Sequence, residues 1–192
     1  MDNDHLDRRV RRTKAQVVAA LTSLLADKEL KDISVSELTR LADINRGTFY
    51  LHYRDTYDLF AQVEEELMGN FLTIIDRFRG SSPVPWQQAM KELFGYIEQY
   101  APSVEAVLRM KESTFLQRIV AQAKPATQEE WRKLFGFGSA SEYEYCYAFV
   151  TNGCIALVTS WFLGGRRESA EDMATLADRL MSACTRELAQ RN

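Results

Sequence analysis

Residues 45–55 read NRGTFYLHYRD and gather one glycine, three aromatics, one histidine and two arginines. A guanidinium, two kinds of hydroxyl and an imidazole within one short stretch suit recognition of an oxygen-rich, electronegative partner. They do not suit bond-making. The chain holds two histidines, His5 and His52, so no His-metal cluster and no Cys–His or Ser–His–Asp arrangement can form in the rest of it. A Gly-rich phosphate loop is also missing, and nothing points to a carboxylate-only site. The reading is therefore not an enzyme, with no cofactor and no metal. The three cysteines, Cys146, Cys154 and Cys184, are odd in number and form no C-x-x-C pair. They fit a reducing compartment as small apolar filler, with a redox sensor the distant alternative.

The elements that must position this segment are helical. Val10, Val17, Val18, Leu21, Leu24 and Leu25 recur at three-to-four spacing and predict a first helix over about 7–26. Ser34 with Glu37 three residues on is a capping-box signature, opening a short helix with Val35, Leu38 and Leu41 on its buried side. The DIN stretch (43–45) is a tight connection, and Asn45 is a good N-cap for a helix over about 46–53. A long helix follows from Asp55, with Leu59, Phe60, Val63, Leu67, Phe71, Ile74, Ile75 and Phe78 as its stripe. GSSPVP (80–85) is a break; beyond it helices are expected near 85–100, 103–123 with an interruption, 126–135, 140–163 and 168–190. Pro102 and Pro125 punctuate them and GFGS (136–139) is a loop. Alternating β-branched runs and hairpin dipeptides are lacking, so the class is all-α.

Two short helices joined by a tight turn form a helix-turn-helix, whose second helix enters the major groove of DNA. Helical spacing puts Phe49 and Tyr53 on the packing side, with Gly47 and Leu51 opposite. Arg46 and Tyr50 flank one edge of that outer face, Thr48 and His52 the other. Gly47 lets the backbone approach DNA closely, and Arg46 can pair with guanine edges. Thr48 can reach a base edge, a thymine methyl or a phosphate, while Tyr50 and His52 can donate to phosphates. Taken singly, His52 is an ordinary surface histidine and Tyr50 an ordinary half-buried one; the face as a whole gives them meaning.

The run ISVSELTRLADINRGTFYLHYRDTYDLF (33–60) resembles the DNA-binding signature of TetR-family bacterial transcriptional regulators. The resemblance implies an N-terminal three-helix DNA-binding domain (1–54) and a C-terminal helical effector-binding and dimerisation bundle (55–192). By position it implies DNA contacts from Arg46, Gly47, Thr48, Tyr50 and His52, with Ser36 touching the backbone from the preceding helix. Many members carry a lysine where this chain has Thr56, which is left to hold a phosphate as a neutral hydroxyl. The pattern Y-x-F-x3-G-x7-W, from Tyr147 through Phe149 and Gly153 to Trp161, followed by ESAEDMA, resembles a C-terminal subgroup that includes regulators near dihydroxyacetone metabolism.

The remaining features describe a body behind that face. Residues 1–54 hold ten Lys/Arg against eight Asp/Glu, the rest fourteen against nineteen. Arg8, Arg9, Arg11, Arg12 and Lys14 fall within seven residues, so a polyanion partner is expected at that end only. Residues 145–165 carry no charge, yet Thr151, Asn152, Thr159, Ser160 and three glycines suit a bundle or subunit interface better than lipid. With no apolar leader in MDNDHLDRRVRRTK, the expectation is a cytoplasmic protein with no membrane segment. Ala148, Asn152, Ala156 and Ser160 form a row of small residues, and Met173, Leu176, Leu180, Cys184 and Leu188 an apolar stripe. The resemblance implies that these two helices build a homodimer; an intrachain core is the alternative. A dimer could read a palindromic double-stranded operator, and an unknown small-molecule effector could act through the long fourth helix. Phe71, Trp86, Met90, Phe94, Tyr100, Met110, Phe115, Trp131 and Tyr147 are candidate pocket residues or plain core. The function expected is a ligand-responsive repressor. The alternative is a TetR-like co-regulator acting through a protein partner.

Overall fold

The computed structural model describes residues 3–78, 86–110, 113–135 and 139–189. Among these there are helices and no strands, in the order α1 (Asn3–Leu25), a single 3-10 turn (Leu30–Asp32), α2 (Val35–Leu41), α3 (Arg46–Tyr50), α4 (Thr56–Phe78), α5 (Trp86–Gln99), α6 (Ala101–Arg109), α7 (Phe115–Phe135), α8 (Ala140–Leu163) and α9 (Ala170–Ala189). The fold is all-α with an N-terminal helix-turn-helix. The expected GSSPVP break, and all of GFGS but Ser139, lie outside the described residues.

By spatial proximity the chain forms two compact units. One comprises residues 1–67 with 100–113, the other residues 68–99 with 114–192. In the first, α1 packs on α2 and α6, and α2 on α3. Val17, Leu21, Leu38, Phe49 and Leu59 are fully enclosed there. Enclosing one such side chain contributes about 1.5–3 kcal/mol, so these residues decide how the short helices sit. Thr22 Oγ1 lies 2.6 Å from the Pro102 carbonyl, tying α1 to the start of α6.

The ends of α2 follow from local chemistry. Ser34 accepts the Glu37 N–H at 3.2 Å, as expected, while the Glu37 carboxylate pairs with Lys28 at 2.6 Å. At the other end the Ile44 N–H reaches the Thr39 carbonyl (3.0 Å) and the Asp43 N–H the Arg40 carbonyl (3.4 Å). These two bonds close a Schellman turn. They put Asp43 at φ 53, a position glycine fills most easily and aspartate tolerates.

In the second unit α9 packs against α5, α7 and α8. Lys91 on α5 and Glu171 on α9 pair at 2.9 Å. Trp131, Tyr143, Tyr147, Val150 and Met181 form one enclosed cluster, with Cys146 and Cys154 packed on it as apolar filler. Burial pushes both thiols up from their ordinary range. Gly165, at φ 85, lets the chain turn from α8 towards α9.

Several expectations needed revision. Leu41, expected on the buried side of α2, is 47% exposed, and Cys184, expected as apolar filler, is exposed. The regular part of α3 is shorter than expected, Arg46–Tyr50, and its end is a tight turn in which the Phe49 carbonyl accepts both the His52 N–H (2.9 Å) and the Tyr53 N–H (3.0 Å). Pro125 does not end a helix, and α7 runs through it. Residues 121, 122 and 125 are exposed, so the carbonyl that the proline leaves without a donor faces water. Finally, α8 has the length and composition of a membrane-crossing helix, but only 22% of its apolar window is buried within the chain. It buries Tyr143, Tyr147, Val150, Trp161 and Phe162, while much of the rest of its surface is uncovered.

Candidate nucleic-acid interface

Asn45 sets the start of α3. In extended conformation (φ −73°, ψ 144°), it accepts the Gly47 N–H on its side-chain oxygen at 2.8 Å. Phe49 and Tyr53 then turn inward with ring centroids 5.3 Å apart, and both are buried. Burial, followed by the nearby Glu66 and Asp58, pushes the Tyr53 phenol up to about 12, so it stays neutral. This anchored side fixes what the opposite side presents. Arg46, Gly47 and Tyr50 are exposed, and Thr48 and His52 are half-buried. Ser36 is exposed on α2. Beyond α3's own backbone, a Cβ built on Gly47 would meet only Asn45 Oδ1, at 3.4 Å, so packing within the chain does not require glycine there.

Thr56 departs from this pattern. It opens α4 but is only 5% exposed, which closes its side chain to a phosphate in this conformation. The α4 start is instead organised by neighbours that sequence reasoning did not single out. Asp55 accepts the Asp58 N–H at 2.8 Å, and Asp58 accepts the Arg54 N–H (2.9 Å) and guanidinium (3.1 Å). The Arg54 N–H, then its guanidinium, holds the Asp58 carboxyl below the usual carboxylate range. Gln62 donates to the His52 carbonyl (3.2 Å) and lies equally close to Asp58. Arg54 and Asp58 at four-residue spacing, and Asp55 three before Asp58, were the available signals. Arg8, Arg9, Arg11 and Arg12 are exposed on α1, with Lys14 half-buried.

The candidate pocket residues are spread over both units. Tyr100 and Met110 are half-buried in the first. In the second, Met90, Phe94 and Phe115 are buried and Phe71 half-buried. Phe94 stacks near Trp161 (5.8 Å), and Trp131 near Tyr147 (5.3 Å) within the enclosed cluster. The Tyr147 hydroxyl donates to the Val120 carbonyl at 3.2 Å. The Trp86 side chain lies outside what the structure describes. Among the described residues there is no group of three or more His, Cys, Asp or Glu able to hold a metal.

Residues 85–183 match the family model of a TetR-type transcriptional regulator C-terminal region. The chain belongs to the TetR family. It is a transcriptional regulator with a helix-turn-helix DNA-binding region, and such regulators are not enzymes. TetR-family regulators are soluble DNA-binding proteins, and one apolar helix does not alter that. A 54-residue stretch is 35% identical to the uncharacterized HTH-type transcriptional regulator YxbF of Bacillus subtilis (strain 168). That stretch is 28% of this chain and spans only 14% of the relative. A TetR-like transcriptional regulator from Rhodococcus sp. RHA1 has a similar fold, with TM-score 0.65 and 20% identity over 92% of this chain and 96% of that one. The dihydroxyacetone kinase operon activator DhaS is similar with TM-score 0.58 and 18% identity, over 91% of this chain and 97% of that one. At such identities the likeness is one of fold.

Proposed function

We propose that the chain is a cytoplasmic, ligand-responsive repressor that binds a palindromic operator as a homodimer. The observation that carries the DNA side is the division of α3: Phe49 is fully enclosed while Arg46, Gly47 and Tyr50 stand exposed. Arg46 reads guanine; Thr48, Tyr50, His52 and Ser36 position the backbone; Gly47 admits close approach. With its side chain enclosed, Thr56 drops out of this set.

The dimer reading draws on α8. Ala148, Asn152, Ala156 and Ser160 are all exposed, beside Tyr145 at 78% and Phe149 at 69% exposure. Asn152 turns its amide back to the Ala148 carbonyl (2.7 Å), which uses one of its two N–H donors within the helix. An uncharged face of this kind, with Leu163, Leu176 and Leu180 also exposed, fits a second copy of the chain. In a dimer, two α3 helices can meet major grooves about 34–36 Å apart. An effector bound in the C-terminal unit would act through α4, which contributes to both units.

Selection of duplexes from a random-sequence pool tests this, followed by affinity measurements at several salt concentrations. Tight binding to an inverted repeat that weakens steeply with salt is expected, because phosphate contacts release counterions. Arg46→Ala should cost about 1–3 kcal/mol on the selected site and relax preference at one base pair. Salt-independent behaviour with no selected sequence would instead favour a co-regulator acting through a protein partner.

A further inference from the structure

Leu51 is 80% exposed, the most exposed large hydrophobic side chain among the described residues. A single exposed leucine is ordinary on a protein surface. Its place on the fold makes this one informative. Leu51 caps α3 with helical dihedrals (φ −69°, ψ −22°), so its side chain continues the helical rotation. It falls four residues after Gly47 and three after Thr48, on the side opposite the enclosed Phe49. Gly47 offers no side chain to cover it, so the centre of the outward face is aliphatic, flanked by polar groups.

A major groove offers hydrogen-bond donors and acceptors at the base edges and one apolar group, the C5-methyl of thymine. An aliphatic side chain pressed over guanine or cytosine edges would strip water from polar atoms and return no hydrogen bond. Over a thymine methyl it removes two apolar surfaces from water together. We infer that Leu51 is a specificity-determining residue, packing on the C5-methyl of one thymine in each half-site. This deepens the DNA-binding reading above and rests on it. It assigns base discrimination to an apolar contact that works beside the hydrogen bonds of Arg46. Thymine recognition at this position then needs no hydrogen bond from Leu51, and it follows the methyl group itself.

The test uses the full chain and the tightest duplex selected from a random-sequence pool. Each thymine is replaced singly by deoxyuridine, which removes the methyl and preserves base pairing. At one thymine per half-site the wild-type protein should bind the deoxyuridine duplex about fourfold more weakly, the effect of one buried carbon. Leu51→Ala, which loses the contact in both half-sites of the dimer, should bind both duplexes equally, about fourfold below the wild-type level on the singly substituted duplex. Leu51→Met, which keeps an apolar tip, should retain part of the discrimination. A wild-type protein indifferent to deoxyuridine everywhere, or a Leu51→Ala protein as sensitive as wild type, overturns the assignment while leaving DNA binding intact. Failure to enrich any duplex overturns the DNA-binding reading and this inference together.

Discussion

Arg54 grips Asp58 twice, through its backbone N–H at 2.9 Å and its guanidinium at 3.1 Å, so the turn leaving α3 is clamped to the first turn of α4. Gln62 extends the clamp to the His52 carbonyl, in the turn that follows α3. The carboxyl of Asp58 is held below its usual range by these donors. Stability from such a group is fully present above the unfolded value, therefore at neutral pH, and is lost as pH falls through the folded value. Asp58→Asn should leave the fold intact with a modestly lower melting temperature, and weaken DNA binding through misplacement of Tyr50 and His52. Thermal melts and duplex titrations of the same samples check this. Unchanged DNA affinity would detach the clamp from function.

Most helices were legible because apolar periodicity and caps are local properties. Ser34 and Asn45, both read as caps, each accept an N–H at a helix start; Ser139, read only as loop, does the same. What sequence could not reveal depended on partners far along the chain or on exposure. The Thr22–Pro102 bond joins residues 80 apart, which periodicity does not register. Thr56 opens α4 as expected, yet whether a helix start faces solvent is set by packing, and here the residue is enclosed. Pro125 reads as a stop because its lost hydrogen bond is local, while the exposed face that tolerates the loss is a tertiary fact. The exposed side of α3 was legible for a different reason. Phe49 and Tyr53 at four-residue spacing fix the buried side, and the outer side follows by rotation.

Gly47 separates folding from binding. Its backbone does not have positive φ, and an added Cβ meets only the Asn45 side chain. Gly47→Ala should therefore be neutral or raise stability, by about 0.4–1 kcal/mol through the lower entropy of the unfolded chain. The added methyl would stand between the helix backbone and DNA, and affinity should fall roughly tenfold, about 1.4 kcal/mol. Melting curves paired with anisotropy titrations read both effects. A variant that loses stability and affinity in proportion would mean that the glycine serves the fold.

The exposed side of α8 predicts a subunit contact. Ala156 sits in the row of small residues and is exposed in the single chain. Ala156→Arg should leave the monomer's helicity unchanged, because the site is solvent-facing there, yet place an uncompensated charge in a dimer interface. A charge buried without a partner in an interface is strongly destabilising, so the dimer should weaken. Sedimentation velocity should show wild-type dimer and variant monomer. An unchanged dimer would move the interface away from α8.

Three buried phenols make the fold sensitive to alkali. Burial is the leading cause that pushes Tyr53, Tyr143 and Tyr147 from 10.0 up to about 12. In the unfolded chain these groups release protons near pH 10, while in the fold they hold them. Between the two values the native state binds more protons, so stability falls as pH rises. Below pH 10 the contribution is fully present, and it disappears as pH climbs through about 12. The phenols alone should leave the melting temperature flat from neutral pH to about 9 and then make it drop steeply, while the buried Cys146 and Cys154 thiols add a decline that begins near the ordinary thiol value. Tyr53→Phe should reduce the steepness, since phenylalanine has no proton to lose in the unfolded chain. Tyr147→Phe should do the same but start from a lower neutral-pH stability, because it also loses the hydrogen bond to the Val120 carbonyl. That bond is worth about 0.5–1.5 kcal/mol. Melting curves of the three proteins from pH 7 to 11 distinguish these contributions. A Tyr53→Phe curve parallel to wild type above pH 10 would mean that its phenol ionises in the fold as readily as outside it.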